Sequence, residues 1–176
     1  FSVQNHHISK LPLIYQRIKG TKTFVVEDSI EGWSDAFGVL CNSYFERSSC
    51  ASKYKQYSGY IINFDLSLIR PEGAEITGGF KAPGPEGLRK SLLKTENLWN
   101  KQFNKIEKYG YVDAIIDSIL VYDTVMHMSD AVLSGGVRRS ATICLFSKDD
   151  NEMMTAKTGN WLVENPQRAR SNNSVV

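Results

Sequence analysis

Cysteine, histidine and proline are all scarce in this chain of 176 residues, and the first of these scarcities already removes two classes of protein. The three cysteines, Cys41, Cys50 and Cys144, form no CxxC pair and are odd in number, so neither a disulfide framework nor a zinc knuckle is indicated. They read as reduced thiols of a cytoplasmic protein. Charge of one sign is missing too: 21 Lys and Arg stand against 19 Asp and Glu, a formal net charge of +2. A surface that neutralises a row of phosphates draws on an excess of basic residues, so no nucleic acid is expected as a partner. Long apolar runs are absent, since Ile115 to Met126 is broken by Asp117 and Asp123 and falls short of the ~20 residues of a membrane span. No membrane is expected as a partner either. The chain has neither a Walker loop nor a GxGxxG. It also lacks an initiator Met, opens on the strand-like Phe1-Ser2-Val3, and stops within the β-prone Ser174-Val175-Val176, which reads as a piece of a longer polypeptide.

What remains is the composition of one globular unit, 41% hydrophobic and 23% charged, with strands and helices in alternation. His6 to Pro12 reads as a loop. Asp28-Ser29-Ile30-Glu31 has capping-box spacing, with Asp28 as the acceptor and Glu31 reaching back, and predicts a helix from Ser29 to Phe45 with Trp33, Phe37, Leu40 and Phe45 near one face. Glu46 to Gly59 has no clear period and reads as a loop, Tyr60 to Phe64 is β-prone, and Arg70-Pro71-Glu72-Gly73 is a turn. Pro85 suits the first turn of a helix running to about Lys108, whose Leu88, Leu92, Trp99, Phe103 and Ile106 keep helical spacing. Val112 to Leu133 reads as the next helix, ended by Gly135-Gly136. Ser140 to Phe146 reads as a strand, Asp149 or Asp150 opens a short helix, and an irregular stretch with Asn165-Pro166 leads to a last strand. Long helices between strands argue an α/β fold with parallel or mixed pairing.

Chemistry gathers in Ser134-Gly135-Gly136-Val137-Arg138-Arg139-Ser140, between a helix and a strand. Adjacent glycines admit a close backbone approach, and two guanidinium forks suit a phosphate or a base edge. On spacing alone the plainer reading, a glycine-rich helix end followed by solvated arginines, is preferred. His6-His7 lacks partners at metal-ligand spacing, and Asp113, Asp117 and Asp123 read as the polar side of a helix. Cys144, within Ile143-Cys144-Leu145-Phe146, reads as a small buried hydrophobe. Asn165-Pro166-Gln167-Arg168 and Ser171-Asn172-Asn173-Ser174 are dense in hydrogen-bonding groups that suit either a pocket lining or a turn.

Six stretches are more specific in order than singly. They are Phe1-Ser2-Val3-Gln4; Asp28-Ser29-Ile30-Glu31-Gly32-Trp33; Asp65 through Ile76, with its Arg70-Pro71-Glu72-Gly73; Gly78-Gly79-Phe80-Lys81-Ala82-Pro83-Gly84-Pro85; Gly135-Gly136-Val137-Arg138-Arg139-Ser140-Ala141; and Asn165 through Val175. In this order they resemble an internal segment of an adenosylcobalamin-dependent (class II) ribonucleotide reductase, nearest to the monomeric ribonucleoside-triphosphate reductase branch. The resemblance implies the N-terminal part of that family's ten-stranded α/β barrel, incomplete, with a helical insertion over residues 11–73 that mimics a dimer partner and builds an effector site.

By the same resemblance Gly135, Gly136, Val137, Arg138, Arg139 and Ser140 form the specificity loop between a deoxynucleoside triphosphate effector and a ribonucleoside triphosphate substrate. This overturns the preference drawn from spacing. The family's thiyl-radical reaction uses adenosylcobalamin, bound mostly outside this segment, and thioredoxin or a similar reductant. No catalytic residue and no metal ligand is expected among these residues, so the segment alone is expected to be inactive, and the whole enzyme to be a cytoplasmic monomer. Two other readings stand beside it: a stand-alone deoxynucleotide-sensing module, and a fragment of a class I or dimeric class II reductase, which Asp28 to Trp33 disfavours.

Overall fold

The computed structural model describes residues 1–76, 78–107, 113–133 and 141–176. In chain order the elements are α1 (Asn5–Ile8), β1 (Ile14–Tyr15), β2 (Thr21–Val25), α2 (Ile30–Ser43), a 3-10 turn (Ser52–Tyr57), β3 (Ile61–Asp65), β4 (Glu75–Ile76), β5 (Phe80–Lys81) and α3 (Glu86–Glu107). There follow β6 (Asp113–Ala114), α4 (Ser118–Leu133), β7 (Thr142–Phe146), α5 (Asn151–Thr155), α6 (Trp161–Glu164), a second 3-10 turn (Pro166–Arg170) and β8 (Ser171–Val175). The class is mixed α/β. β2 pairs with β3 and β7 with β8 in parallel, whereas β1 with β6 and β4 with β5 are antiparallel, and no closed barrel forms among the described residues.

The β7–β8 pair gains a third member from the start of the chain. Val3 N donates to Leu145 O at 2.8 Å and Leu145 N to Phe1 O at 3.0 Å, so residues 1–3 run parallel to β7 on the side away from β8. Parallel strands cannot be joined by a tight turn, and the helices between residue 3 and β7 are what the crossover requires.

Two apolar cores meet at α4. The first takes Phe37 and Leu40 from α2 and Tyr44 just after it, Leu88, Leu92, Trp99 and Phe103 from α3, and Leu120 and Ala131 from α4. The second joins Val3, Cys144, Phe146, Met153 and Ala156 to Tyr122 and Met126 on another side of α4. A helix covered on two sides must be apolar around most of its circumference, which is why Ile119 through Met128 shows no clean amphipathic stripe. Burying a side chain the size of Leu88 or Met126, each fully enclosed, stabilises by roughly 1.5–3 kcal/mol. A polar link between α3 and α4 at mid-core is satisfied at both ends: Trp99 Nε1 donates to Thr124 Oγ1 at 2.8 Å, and Thr124 Oγ1 donates to Leu120 O at 2.7 Å.

Several local expectations are corrected. The cap of α2 is Ser29, whose Oγ accepts from Gly32 N at 2.9 Å, because the Asp28 carboxylate is taken by Arg70 at 2.5 Å. Gly32 itself is obligatory: a Cβ there would lie 2.4 Å from Glu27 O. The helix predicted from Val112 begins only at Ser118, since Asp113–Ala114 pairs with Ile14–Tyr15, and Asp117 Oδ1 caps the helix by accepting from Leu120 N at 2.8 Å. Ile115, which lies between that pairing and the start of α4, is exposed. His6 and His7 lie on the short α1 rather than in a loop, and Ser52–Tyr57 inside the predicted 46–59 loop is a 3-10 turn. α3 matches its predicted span within a residue at each end, and four of its five predicted core residues are buried; the side chain of Ile106 lies outside the described residues.

Candidate functional site

Gly135, Gly136, Val137, Arg138, Arg139 and Ser140 lie outside the described residues, as does the predicted glycine end of α4. The elements on either side are described, and they form a braced stem. α4 ends at Leu133 and β7 begins at Thr142, which is in register with Ser171, the first residue of β8. Thr142 and Ser171 therefore lie at the N-terminal edge of the parallel ladder, and Phe1 stands beside Cys144, farther along it.

α4 is tied to the chain leading into β8 by two ion pairs. Arg168 grips Asp123 with two hydrogen bonds, Nε to Oδ1 at 2.8 Å and Nη2 to Oδ2 at 2.6 Å, and its Nη1 donates to Ala156 O at 2.7 Å. Gln167 Nε2 adds a third bond to Asp123 Oδ1 at 3.2 Å. The two charged side chains are 12% and 4% exposed. Burial opposes the Arg168 charge, but the Asp123 carboxylate outweighs it and raises the guanidinium above its ordinary value. Seven residues further along α4, Asp130 Oδ1 accepts from Arg170 Nε at 2.9 Å, nearer the surface. Tyr122 OH and Ser171 Oγ are 2.9 Å apart, Lys157 Nζ donates to Ser171 O, and burial raises the Tyr122 hydroxyl.

Asp123 is thus not on a polar helix side, as its local pattern suggested. Its partner lies 45 residues away, beyond any periodicity argument. Gln167, Arg168 and Ser171, read as pocket lining or turn, are spent on these structural bonds.

The same end of α4 borders a cleft of about 800 Å³. Its apolar wall includes Trp33, Phe37, Phe80 and Met128, and its polar groups include the Asp28–Arg70 pair and Lys81. Three separate stretches singled out in the sequence, around Asp28–Trp33, Arg70 and Phe80–Gly84, converge there; their convergence with α4 was not legible, because nothing local in α4 marks Met128 or Val132 as a cleft wall. At the back of the cleft Gly84, with φ +70°, approaches Glu72 so closely that a Cβ would lie 2.9 Å from its backbone N. The opening turn of the 14-residue α2 points positive partial charge toward the same rim.

The three cysteines are free thiols. Burial pushes Cys41 up to about 12 and Cys144 up to about 11, and it raises Cys50, whose Sγ donates to Asn42 O at 3.3 Å. All three are poor nucleophiles, in keeping with the reading of Cys144 as a buried hydrophobe. His6 and His7 rings lie 4.0 Å apart on the surface, with His7 Nδ1 2.8 Å from Ser2 Oγ, and among the described residues no three His, Cys, Asp or Glu gather as a metal site.

Comparison with known proteins supplies the class. The chain is 31% identical over 174 residues to an adenosylcobalamin-dependent ribonucleoside-triphosphate reductase of Lactobacillus leichmannii, covering 98% of this chain and 20% of that enzyme. The enzyme of the same name from Lactobacillus acidophilus is 31% identical over 165 residues, 93% of this chain and 19% of its own. That from Lacticaseibacillus paracasei is 32% identical over 150 residues, 85% of this chain and 18% of its own. No protein-family profile matches the chain, and no solved structure matches it. These relationships define a segment of a ribonucleotide reductase. Within that class the chain belongs to the adenosylcobalamin-dependent ribonucleoside-triphosphate reductase family, and it spans about a fifth of the length of the curated relatives it matches.

Proposed function

We propose that this chain is the nucleotide-positioning portion of a reductase that converts ribonucleoside triphosphates to 2′-deoxyribonucleoside triphosphates by a thiyl-radical mechanism. The observation that carries the reading is the identity of about 31% sustained along 98% of the chain with enzymes of that name. In this reading Gly135 to Ser140 is the specificity loop, and residues 11–73 are the insertion that supplies an effector site. The cleft beside α4 supports it. Its volume lies within the 300–1,000 Å³ of small-molecule sites, its aromatic walls suit a base, and Arg70 and Lys81 suit phosphate. The deoxynucleoside triphosphate effector is assigned to that cleft.

The described residues do not fit adenosylcobalamin. Two open clefts of about 770 and 800 Å³ are sized for a nucleotide rather than a corrin with its appended groups, and no cluster of metal-ligating side chains lines either one. The cofactor is therefore assigned to the remainder of the enzyme, and no step is derived through it. The raised thiols of Cys41, Cys50 and Cys144 likewise support placing the redox cysteines, and docking of thioredoxin or a similar reductant, outside this segment. The complete enzyme is read as a cytoplasmic monomer.

The test is turnover of the four ribonucleoside triphosphates by the full reductase polypeptide, with adenosylcobalamin and a dithiol, in the presence of each deoxynucleoside triphosphate in turn. Deoxynucleotide formation whose substrate preference shifts with the effector is the expected result. Folded enzyme with no turnover overturns the reductase reading, and turnover indifferent to effector overturns the roles given to the loop and cleft.

A further inference from the structure

We infer that Arg170 is a positioning residue for substrate selection, bracing both ends of the chain segment that joins α4 to β7; this rests on the function proposed above. The observation is a side-chain bond and a strand start that meet at one residue. Through its side chain, Arg170 Nε holds Asp130 Oδ1 at 2.9 Å, one turn before α4 ends at Leu133. Through its backbone, it is followed by Ser171, which is in register with Thr142, where β7 begins. The residue that holds the last turn of α4 is thus the one that leads directly into the strand registered with the start of β7.

The two ion pairs along α4 divide the work by depth. Asp123–Arg168 is buried, with three bonds on the carboxylate, and holds the fold. Asp130 and Arg170 are 21% and 44% exposed in their side chains and are joined by the Nε–Oδ1 hydrogen bond. An exposed pair of this kind adds little to global stability, since solvent screens it. Its value is geometric: it removes the freedom of α4's last turn to swing relative to the strand. Two sites that communicate through a connecting segment do so only as far as the segment's ends are fixed, because motion at a loose end absorbs the difference that would otherwise be transmitted. A guanidinium held at Nε also has a fixed orientation, which an ammonium lacks.

The experiment compares wild type, Arg170→Ala, Arg170→Lys, Asp130→Asn and the double variant Asp130→Asn/Arg170→Ala in the full reductase. The readout is the ratio of turnover of each ribonucleotide with its matching effector to turnover without it. Coupling between sites typically spans about 5- to 150-fold, and Arg170→Ala is expected to reduce the ratio at least about fivefold, toward unity, with unstimulated turnover changed less than about twofold. Asp130→Asn should give the same loss, Arg170→Lys should restore part of it, and the double variant should be no worse than either single change. If wild type responds to effectors and Arg170→Ala keeps the full response, this inference falls and the proposed function stands. Should the variant lose stimulated and unstimulated turnover by the same factor, together with thermal stability, the pair is only structural and the inference again falls. A wild type indifferent to effectors overturns both.

Discussion

Removing the carboxylate of Asp123 tests how the braced face of α4 is held. In Asp123→Ala the Arg168 guanidinium keeps its bond to Ala156 O but loses both bonds to the carboxylate, and Gln167 keeps only its longer bond to Asn165 Oδ1 at 3.4 Å. The guanidinium stays charged and only 12% exposed, so its desolvation is no longer offset. Breaking a buried pair from one side costs about 3–5 kcal/mol, whereas replacing both partners by apolar groups of similar volume is often near neutral. Asp123→Ala and Arg168→Ala are therefore each expected to lose about 3–5 kcal/mol, and Asp123→Leu/Arg168→Met no more than about 1–2 kcal/mol. For a protein of this size each kilocalorie moves Tm by about 2–4 °C, so the single variants should melt roughly 6–20 °C lower. Urea denaturation with an unchanged m-value, run as a double-mutant cycle, measures the coupling directly. Single variants costing under about 1 kcal/mol, or costs that simply add in the pair, would falsify the claim that burial makes this pair matter.

Three further outcomes follow from the geometry. Gly32→Ala, which in an open helix gains about 0.5–1 kcal/mol, should instead destabilise by about 1–3 kcal/mol, because its Cβ meets the Glu27 carbonyl oxygen at 2.4 Å; a raised Tm would contradict this. His127 is 7% exposed with no hydrogen-bond partner for Nδ1 among the described residues, and burial lowers its pKa against the pull of Asp123. A depressed folded-state value means the unfolded chain binds the proton first, so its contribution is whole above about pH 6.5 and is lost as the pH falls toward the folded value. Melting curves from pH 8 to 5 should show the decline, and His127→Gln should flatten it; identical slopes in the two proteins would refute the assignment. Cys144, buried and raised to about 11, should resist iodoacetamide at pH 8 in the native protein and react once it unfolds, and Cys41, partly buried and raised to about 12, should react slowly; rapid native labelling of either would contradict the raised thiols.

Where sequence reasoning succeeded, the determining interactions were local. The span of α3 follows from apolar spacing and from Pro85 ahead of its first turn, and both are contained within the helix. Where it failed, a distant residue had intervened. Asp28 satisfied the local rule for a cap as well as Ser29 did, but Arg70, 42 residues on, claims it. Asp113–Ala114 continued a helical pattern until paired with Ile14–Tyr15. Asp123 looked solvated for want of a visible cation. Spacing and family resemblance gave opposite readings of Gly135 to Ser140, because adjacent glycines and arginines are common at helix ends and carry little information by themselves; those residues lie outside the described ones. Neither approach pointed to Arg170, whose significance depends on strand register and a helix end at once.

Among the described residues, half of the first core comes from the stretch read as an insertion: Ile14, Val26, Ala36, Phe37, Leu40, Tyr44, Leu66 and Ile69 are eight of its sixteen buried members. Residues 11–73 are therefore no removable attachment to α3 and α4 but the cover for Leu92, Trp99 and Phe103. A shortened polypeptide without them would carry a bare aromatic strip along α3, with the Tyr44 ring gone from its place 5.2 Å from Trp99. Such a polypeptide could persist in water only by borrowing the missing cover from another molecule. For Leu92, Trp99 and Phe103, the cover that keeps the helix surface dry is supplied by the same polypeptide.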